Sequence, residues 1–480
     1  MHVRTRFAPS PTGYMHIGNL RSALYAYLFA RKYKGDFILR IEDTDRDRFI
    51  EGATDIIYST LKDVGMVWDE GPDIGGDYGP YIQSERKGIY KIYALQLIEN
   101  GSAYYCFCSK EELDARRAAA EKAGDTYKYD KHCLHMDKDE VQRKLDANEP
   151  YVIRQNIPQS GTTSFHDELL GTITVENSTL DDNVLIKADG MPTYNFANVV
   201  DDHLMAITHV MRGMEYLSSA PKYDLLYEGF GWDIPSYIHM PPVMRDAKKK
   251  LSKRDGDASY EDFIKKGYLK EAIINYIALL GWNPGTEQEI FTLDELIEAF
   301  SIEGMSKSPA IFDIAKLTWL NFEYVRALSP EQYRAHALSW YKKAGLEGYD
   351  YDILDAILQP RTEYFAQLPE KVAFLTSLPE YDAALFTNKK SKTDSTISKQ
   401  ILEHVLPLMR SLPEWTQTAL HDCLMGYAEQ TQRKHGTVLW PVRIALSGQA
   451  VTPGGAMEIA VLLDRDESLR RLELGLAKLS

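Results

Sequence analysis

Hydrophobic and polar positions near the start of the chain change period once, and this change predicts a strand followed by a helix. Residues 3–8 alternate between apolar and polar side chains, which is the period of a β-strand. Pro9 and Pro11 cannot donate a ladder hydrogen bond, so the strand ends before them. Apolar residues then recur at helical spacing over 20–28, which predicts a helix that begins near Gly18. Free N–H groups at such a helix start favour an anion, above all phosphate, although an ordinary strand–helix unit with no ligand is the alternative.

A second strand–helix unit follows the first. Residues 37–41 form an apolar run that predicts a buried strand, and Glu42 and further carboxylates come directly after it. Ligands of open α/β sheets bind at the carboxyl ends of the strands, so these carboxylates lie where a ligand is expected. Three further segments are predicted from the same patterns: helices over 56–64 and 89–100, and a Gly- and Pro-rich loop over 71–86.

The α/β pattern is interrupted once and then gives way to helices. From Tyr104 to about Ile186 the chain combines a cysteine cluster, a charged helix and short β-like runs, which predicts an α+β insertion between two halves of one α/β domain. Beyond Tyr260 nearly all apolar spacing is helical. The predicted segments are 1–104 (α/β domain, first half), 105–186 (insertion), 187–258 (α/β domain, second half), 259–330 (helical) and 331–480 (all-helical).

The composition is that of a globular protein with several domains. The chain has 480 residues, of which 44% are hydrophobic and 26% charged, and one core rarely grows beyond about 250 residues. Its start lacks the apolar core of a signal peptide, and no apolar run is long enough to span a bilayer, so a cytoplasmic protein with no membrane partner is expected. The net charge of −15 argues against a nucleic-acid partner. That argument is weak, because one face can carry a positive track while the opposite surface stays acidic.

Three of the four cysteines, together with one histidine, have the spacing of a metal site. Cys106 and Cys108 form one pair, and Cys133 and His135 form the second after 24 intervening residues. Three thiolates and one imidazole make a closed tetrahedral zinc site, and its role is structural because no position stays open for water. Free cysteines that lie near each other by chance are the alternative. Cys423 lies in a helical apolar run and is predicted to belong to the core.

A cationic run follows the second α/β half. Residues 248–254 read Lys-Lys-Lys-Leu-Ser-Lys-Arg, and such a loop can neutralise a polyphosphate as charge develops on it. A lysine run taken alone is more often a solvated basic loop. Together with His-Ile-Gly-Asn at 16–19, directly after the first strand, this run resembles the two signatures of class I aminoacyl-tRNA synthetases, written HIGH and KMSKS.

The residues between these signatures make the resemblance more specific. The runs that look like bacterial-type glutamyl-tRNA synthetases are Arg6–Gly13, Arg40–Asp45 and Tyr194–Asp202. The likeness covers essentially the whole chain, closely over 1–330 and more loosely over 331–480. Asn19 stands for the second histidine of HIGH and can still form hydrogen bonds. Leu251 replaces the methionine of KMSKS, and Arg254 replaces its last serine and keeps a cation there.

The resemblance implies a Rossmann-like class I catalytic domain with a parallel sheet. It also implies that 105–186 is a connective domain for the tRNA acceptor end, that 259–330 contacts the tRNA stem, and that 331–480 binds the anticodon. The implied activity is that of a glutamate–tRNA ligase with tRNA(Glu) and L-glutamate as partners, acting as a monomer. Glutamate attacks the α-phosphorus of ATP, and the terminal ribose of the tRNA then takes the glutamyl group. A tRNA-modifying paralogue and a non-catalytic tRNA-binding module are the alternatives.

Neither step requires a covalent enzyme nucleophile, so catalysis consists of positioning and of stabilising negative charge on the phosphoryl group. The resemblance implies His16, Lys250 and Lys253 as the catalytic residues. The implied ATP-binding residues are Pro9, Ser10, His16, Gly18, Asn19, Ser252 and Lys253. Mg²⁺ is expected to accompany the ATP phosphates, in addition to one structural Zn²⁺.

Glutamate carries two carboxylates and one ammonium, and it therefore needs cations and an anion in its pocket. Arg6 and Arg212 can supply bidentate forks for the carboxylates, and Glu42 can take the ammonium. A surface ion pair is the alternative for any one of these arginines. The full implied set is Arg6, Ser10, Glu42, Tyr194, Asn198 and Arg212.

The helical C-terminal segment is expected to read the anticodon. Arg361 matches an arginine that reads the third anticodon base in the resembled family, and a helix-capping or surface arginine is the alternative. Unpaired bases also need stacking platforms, and aromatic residues of this segment can supply them. The candidates are Tyr364, Phe365, Phe374 and Trp440.

Overall fold

The structure is a computed structural model that describes residues 2–44, 50–124, 127–251 and 259–480. The chain folds into two units. The first consists of Met1–Asp262 and Ile273–Asp313, and the second consists of Phe263–Ala272 and Ile314–Ser480. The finer division into five segments stays a prediction.

The first unit is built on short strands. They are β1 (Arg4–Phe7), β2 (Asp36–Leu39), β3 (Ala103–Cys106), β4 (Val152–Gln155), β5 (Thr162–Asp167), β6 (Gly171–Glu176), β7 (Val184–Ile186), β8 (His209–Gly213), β9 (Ser236–Met240), β10 (Val243–Met244) and β11 (Ala310–Ile311). β1 pairs in parallel with β2, and β8 pairs in parallel with β9. β5 lies parallel beside β9 and forms a hairpin with β6. The predicted parallel sheet is therefore confirmed, with an antiparallel strand added at one edge.

Contacts between β1 and β8 bring the two parallel pairs together. Thr208, just before β8, donates its N–H to the Arg4 carbonyl at 2.9 Å, and Arg6 Nη1 lies 3.5 Å from the Met211 carbonyl. Both contacts advance in the same direction along the two strands, so their carboxyl ends meet at one edge. Because β2 lies on one side of β1 and β8 on the other, this edge is where ligands of open α/β sheets bind.

Helices cover this sheet and fill the segments that follow it. They are α1 (Ile17–Lys32), α2 (Ala53–Asp63), α3 (Lys87–Glu99), α4 (Lys110–Ala123), α5 (Lys138–Asp146), α6 (Tyr194–Leu204), α7 (Ala220–Phe230), α8 (Tyr260–Lys265), α9 (Lys270–Leu279) and α10 (Leu293–Ala299). α1 connects β1 to β2, and its apolar stripe, which includes Leu20, Leu24 and Leu28, is fully buried. The predicted helix start near Gly18 is thus correct to one residue.

The interrupting stretch has its own small sheet and apolar cluster. β4 pairs antiparallel with both β3 and β7. A separate cluster of buried side chains contains Tyr104, Cys106, Tyr129 and Cys133. α4 begins with a capping box between Ser109 and Glu112 and has no fully buried residue. It contacts the cluster through the partly buried Leu113.

The second unit is helical, as the periodicity predicts. Its further helices are α11 (Ile314–Ala327), α12 (Pro330–Lys343), α13 (Tyr351–Leu358), α14 (Leu368–Thr376), α15 (Ser395–Arg410), α16 (Gln417–Gln430), α17 (His435–Ser447) and α18 (Ala456–Lys478). Apolar stripes from these helices meet in one continuous core. Although the unit is rich in helices, none of the helices in the described ranges is both long and apolar enough to cross a bilayer.

A buried arginine ties the ends of two helices in this core. Arg471 on α18 is 1% exposed and donates to the carbonyls of Phe374 on α14 and Leu446 on α17, at 2.6 and 2.8 Å. These are last-turn carbonyls that have no partner within their own helices, so one cation satisfies both ends. Its Nε also donates to Glu467, which keeps the buried charge paired.

The structure corrects two of the four predicted stacking platforms. Phe365 and Phe374 are each 1% exposed and belong to the core of the second unit. Their rings fill the interior because apolar burial outweighs exposure for side chains of this size. Tyr364 stacks on Tyr268 at 5.3 Å, and Trp440 donates its indole N–H to the Leu385 carbonyl.

Candidate active site

The turn between β1 and α1 is closed by its histidine. His16 is the N-cap residue of α1, and its Nδ1 accepts a hydrogen bond from the Gly18 N–H at 3.0 Å. Because Nδ1 accepts, the proton of the neutral imidazole lies on Nε2, which is therefore a donor. The turn presents one imidazole donor together with the positive end of a sixteen-residue helix, an arrangement that suits a phosphate.

Glycine at position 18 allows this arrangement. A Cβ added to Gly18 would lie 3.2 Å from His16 Nδ1, closer than the imidazole can remain without shifting. Asn19 is exposed beside it, and Ser10 is exposed on the approach from β1. Pro9 is buried, and its carbonyl accepts the Glu42 N–H at 3.0 Å, which ties this turn to the end of β2.

The cationic run begins on a short antiparallel pairing. Lys250 forms a bridge with Met244 of β10, and the Leu251 N–H donates to the Val243 carbonyl at 3.1 Å. The Asp246 side chain accepts the N–H groups of two of the lysines and shapes the turn. Lys250 is exposed. Ser252, Lys253 and Arg254 lie outside the described residues.

A fully buried ionic network lies beneath the strand ends. Asp202 of α6 receives Arg6 Nε at 3.1 Å and Arg6 Nη2 at 3.3 Å, and it also receives Arg40 Nη1 at 2.7 Å. Arg40 Nη2 donates in turn to Glu42 at 2.9 Å. Burial acts to raise the pKa of Asp202, but Arg6 and Arg40 hold that pKa below its usual range. The guanidinium of Arg6 therefore already has a carboxylate partner within the protein, namely Asp202.

The same network continues to α3. Asp201 accepts from Arg86 Nε at 2.7 Å, from Gln83 at 3.0 Å and from the Tyr90 hydroxyl at 2.8 Å. The network holds three arginines and three carboxylates, and each of these side chains is at most 4% exposed. Such a cluster survives burial only because every charge has a partner of opposite sign. It therefore holds β1, the end of β2, α3 and α6 in one arrangement.

Glu42 has a different electrostatic balance. It is 3% exposed, and burial raises its pKa, while Arg40 and Arg6 act to lower it. Oε1 receives Arg40, and the Gln83 amide lies 3.4 Å from the same oxygen. A cation that arrived at Glu42 would favour the ionised carboxylate and would itself gain a buried partner.

Arg212 is a buried arginine that has no carboxylate partner among the described residues. It lies near the end of β8, is 5% exposed and donates Nε to His239 Nε2 at 3.1 Å. Its guanidinium packs over the rings of Tyr216, Tyr223 and Tyr237. In the part of the chain that the structure describes, Nη2 is buried without a hydrogen-bond partner. A buried guanidinium with an unsatisfied amino group is a receptor for an anion.

Tyr194 and Asn198 line the same region from α6. The Tyr194 ring stacks on Tyr216 at 5.2 Å, and Tyr216 is one of the rings beneath Arg212. Asn198 is 2% exposed, and its amide donates to the Tyr194 carbonyl at 2.8 Å. The structure thus brings Arg6, Glu42 and Arg212, together with these two neutral residues, to one edge of the sheet.

The three predicted cysteine ligands converge, but the predicted histidine does not join them. The ligand atoms of Cys106, Cys108 and Cys133 lie within 4.8 Å of one another, and His135 is outside this group. Cys133 and His135 lie two residues apart in a 3₁₀ turn, where three residues complete one turn, so their side chains leave on different sides. His135 is exposed. The prediction of His135 as the fourth ligand is therefore corrected.

Tyr129 takes the position next to the sulfurs. Its hydroxyl lies 3.3 Å from Cys106 Sγ and 3.4 Å from Cys108 Sγ. A hydrogen bond from Cys133, together with Tyr129 and Arg154, lowers the pKa of Cys106 to about 4. Three thiols in contact and a phenol beside them form a donor set that fits a thiophilic cation such as Zn²⁺.

Arg361 ends a short 3₁₀ turn that follows α13. The residue is exposed, and Nη1 donates to the Ile357 carbonyl at 2.9 Å. This bond satisfies a last-turn carbonyl of α13, which is the helix-capping role that was the alternative for this residue. An arginine has five N–H donors, so this bond leaves others for a ligand.

Several residues that shape the site escaped the analysis of the sequence. Asp202 stands inside the run Tyr194–Asp202 that carried the resemblance, so the signal for it was present. Tyr129 lies four residues before Cys133, and the spacing Tyr-x₃-Cys could have marked it. His239 gave no local signal, because its role depends on a strand 27 positions away in sequence.

Comparison with known families gives matches over nearly the whole chain. The model of the catalytic domain of class I tRNA synthetases (E and Q) matches residues 2–319. The model of an anticodon binding domain matches residues 324–476. Together the two models cover both units of the fold.

Full-length relatives agree with this match. The glutamate–tRNA ligase of Clostridium kluyveri is 58% identical over 477 residues, which cover 99% of this chain and 98% of the relative. That of Clostridium tetani is 57% identical, with the same coverage. A crystal structure of a glutamate tRNA ligase from Elizabethkingia meningosepticum in complex with its amino acid matches with a TM-score of 0.89, 35% identity and full coverage of both chains.

Removing one carboxylate from the buried network should destabilise the protein strongly. Asp201→Ala leaves Arg86 and Tyr90 buried without their acceptor, and we expect a loss of about 3–5 kcal/mol in the free energy of unfolding. Asp114→Ala breaks the exposed pair with Arg117 and should cost less than about 1 kcal/mol. Urea unfolding of both variants, followed by circular dichroism, measures the difference. Equal losses in the two variants would contradict the structural role of the network.

Proposed function

This chain belongs to the class I tRNA synthetases for glutamate and glutamine, and we propose that it activates L-glutamate with ATP and transfers it to tRNA(Glu). The observation that carries this proposal is Arg212, whose buried Nη2 has no partner among the described residues. It lies at the sheet edge that also carries Arg6 and the phosphate-favouring turn at His16. An anionic amino acid and a triphosphate are the ligands that suit these neighbouring features.

In the first step, an α-carboxylate oxygen of glutamate attacks the α-phosphorus of ATP. The bond from that phosphorus to the pyrophosphate oxygen breaks, and glutamyl-adenylate and pyrophosphate result. His16 Nε2 and the N–H groups at the start of α1 bind the phosphates, and Lys250 and Lys253 stabilise the leaving pyrophosphate. Pro9, Ser10, Asn19 and Ser252 complete the ATP site. Mg²⁺ bound to the phosphates would neutralise part of their charge.

In the pocket, Arg6 and Arg212 bind the two carboxylates of glutamate, and Glu42 takes the ammonium. Ser10, Tyr194 and Asn198 add neutral hydrogen bonds. Because Asp202 already contacts Arg6, the carboxylate bound by Arg6 shares its guanidinium, whereas Arg212 is available for a full pairing. Glutamine would leave one of these buried cations without an anion, which costs a few kcal/mol and favours glutamate.

In the second step, the terminal 2′-hydroxyl of the tRNA attacks the carbonyl of the adenylate. The new ester forms, and AMP leaves. The helical second unit supports a full tRNA ligase, because the alternative tRNA-modifying paralogue lacks an anticodon domain. Arg361, exposed at the end of α13, is the residue that we assign to the anticodon. A cytoplasmic monomer is part of the same proposal.

One experiment separates this function from its alternatives. ATP–pyrophosphate exchange with glutamate should occur only when tRNA is present, and purified tRNA(Glu) should be charged with glutamate but not with glutamine. Exchange that needs no tRNA would point to the modifying paralogue. Absence of exchange under all conditions would point to a non-catalytic module. Charging of tRNA(Gln) in a parallel reaction shows whether a second tRNA is also a substrate.

Gly18→Ala should slow adenylate formation. The new Cβ would lie 3.2 Å from His16 Nδ1, so the imidazole would shift slightly. Because a misplacement of about 1 Å can cost about 100-fold in rate, we expect this smaller shift to cost up to about 10-fold. Gly88→Ala is the matched control, because Gly88 is also the second residue of its helix and its added Cβ would meet nothing within 4 Å. Pyrophosphate exchange measured on both variants tests the prediction. An unchanged rate in Gly18→Ala would remove the imidazole position from the mechanism.

For the cysteine cluster we propose one structural Zn²⁺ held by Cys106, Cys108 and Cys133, with the Tyr129 hydroxyl as the fourth group. Elemental mass spectrometry should find about one zinc per chain. Cys133→Ser should lose the zinc, whereas His135→Ala and the control Cys423→Ser should keep it. Loss of zinc from His135→Ala together with retention in Tyr129→Phe would restore the histidine as ligand.

A further inference from the structure

Two buried polar side chains, His239 and Asp167, lie behind Arg212 and belong to none of the proposed binding sets. His239 on β9 and Asp167 at the end of β5 are both 0% exposed. His239 Nδ1 lies 2.8 Å from Asp167 Oδ2, and His239 Nε2 lies 3.1 Å from Arg212 Nε. The three side chains form one line across three neighbouring strands.

The charges along this line determine where its protons lie. A carboxylate accepts only, so the Nδ1 proton of His239 points to Asp167. An arginine donates only, so Nε2 of His239 carries the lone pair that receives Arg212. The imidazole must therefore be neutral and in one tautomer.

Asp167 itself is held by the backbone. Its Oδ1 accepts the N–H groups of Leu169 and Leu170 at 2.9 and 2.8 Å, and its Oδ2 accepts the N–H of His239 at 2.9 Å. With the carboxylate fixed in this way, the imidazole cannot turn without losing a hydrogen bond. The orientation of His239 is thus set before any ligand arrives.

This line fixes the guanidinium of Arg212 through a single nitrogen. Nε is bound to His239, while Nη2 has no partner among the described residues. A planar guanidinium whose Nε is held in place has a defined direction for its two terminal amino groups. Those two groups form the end-on fork that a carboxylate binds with two hydrogen bonds.

We propose that Asp167 and His239 are positioning residues for glutamate binding, which hold Arg212 in the orientation that receives a substrate carboxylate. This proposal rests on the proposed function and deepens it. Neither residue contacts the amino acid. The pair acts through Arg212, so it sets the affinity for glutamate and leaves the affinity for ATP unchanged.

The hydrogen bond between His239 and Arg212 also makes glutamate binding depend on pH, because it requires a neutral imidazole. Charged or titratable groups face His239 from β5 (Asp167), β8 (Arg212) and the 3₁₀ turn after β8 (Glu215). Burial lowers the pKa of His239 below its usual 6.5, and Arg212 acts in the same direction. As the pH falls through that pKa, Nε2 gains a proton, faces Arg212 as a second donor and no longer holds it. The KM for glutamate should therefore be constant near neutral pH and rise on the acid side of 6.5.

Steady-state kinetics on the full-length protein test this proposal. His239→Phe removes both hydrogen bonds at similar size, and it should raise the KM for glutamate about 10- to 100-fold with little change in the KM for ATP. His239→Gln keeps an acceptor for Arg212, and it should remain within about threefold of the parent while losing the rise at acid pH. The matched controls are His209→Phe and His209→Gln, since His209 lies on β8 at the opposite end of its pairing with β9. These controls should leave the KM for glutamate unchanged.

The results that would overturn the positioning role differ from the results that would overturn the proposed function. A parent protein that does not use glutamate overturns the proposed function, whatever His239 does. A parent that charges tRNA with glutamate, combined with an unchanged KM for glutamate in His239→Phe, overturns the positioning role. If His239→Phe does not fold, the pH profile decides, because an acid rise that persists in His239→Gln also overturns it.

Discussion

The candidate site depends on the pairing of charges that have no access to water. Asp202 bridges Arg6 and Arg40, and Asp201 holds Arg86. Charges from β1, from the residue after β2, from the 3₁₀ turn before α3 and from α6 therefore neutralise one another. An unpaired charge at these depths would cost several kcal/mol, so no strand or helix of the group can move alone. The network thereby gives the carboxyl edge of the sheet its rigidity.

Against this neutral background, Arg212 stands out because its partners are uncharged. Tyrosine rings and a neutral imidazole surround it, and they orient the guanidinium without cancelling its charge. The positive potential at the edge of the sheet therefore remains available to a ligand. Glu42 complements it, because burial raises its pKa and an incoming ammonium would stabilise its ionised form. The pocket therefore lies above a rigid network with no net charge. Its two remaining charged groups, Arg212 and Glu42, would gain partners when a dicarboxylic amino acid binds.

In two other places of the chain, one group also holds in position a second group that is proposed to contact a ligand. At the first turn, His16 accepts from Gly18, and that bond leaves its Nε2 as the donor. In the second unit, Arg471 satisfies the ends of two helices and so supports the unit that carries Arg361. In each case a buried or backbone-bound group holds a second group that faces the ligand, which is how rigid elements position a site.

The sequence by itself determined the parts that follow from local periodicity and motif. The strand–turn–helix at His16 and the all-helical second unit could be read from spacing, because helix and strand periods depend on near neighbours. The family resemblance could be read from the motifs at 16–19 and 248–254 and from the runs between them. Only the tertiary structure decided which distant groups meet. Asp202 reaches Arg6 across 196 positions, His239 reaches Arg212 across a strand pair, and Tyr129 rather than His135 faces the sulfurs. Which of these groups meet depends on register and turn geometry, and for His239 no local pattern encodes it.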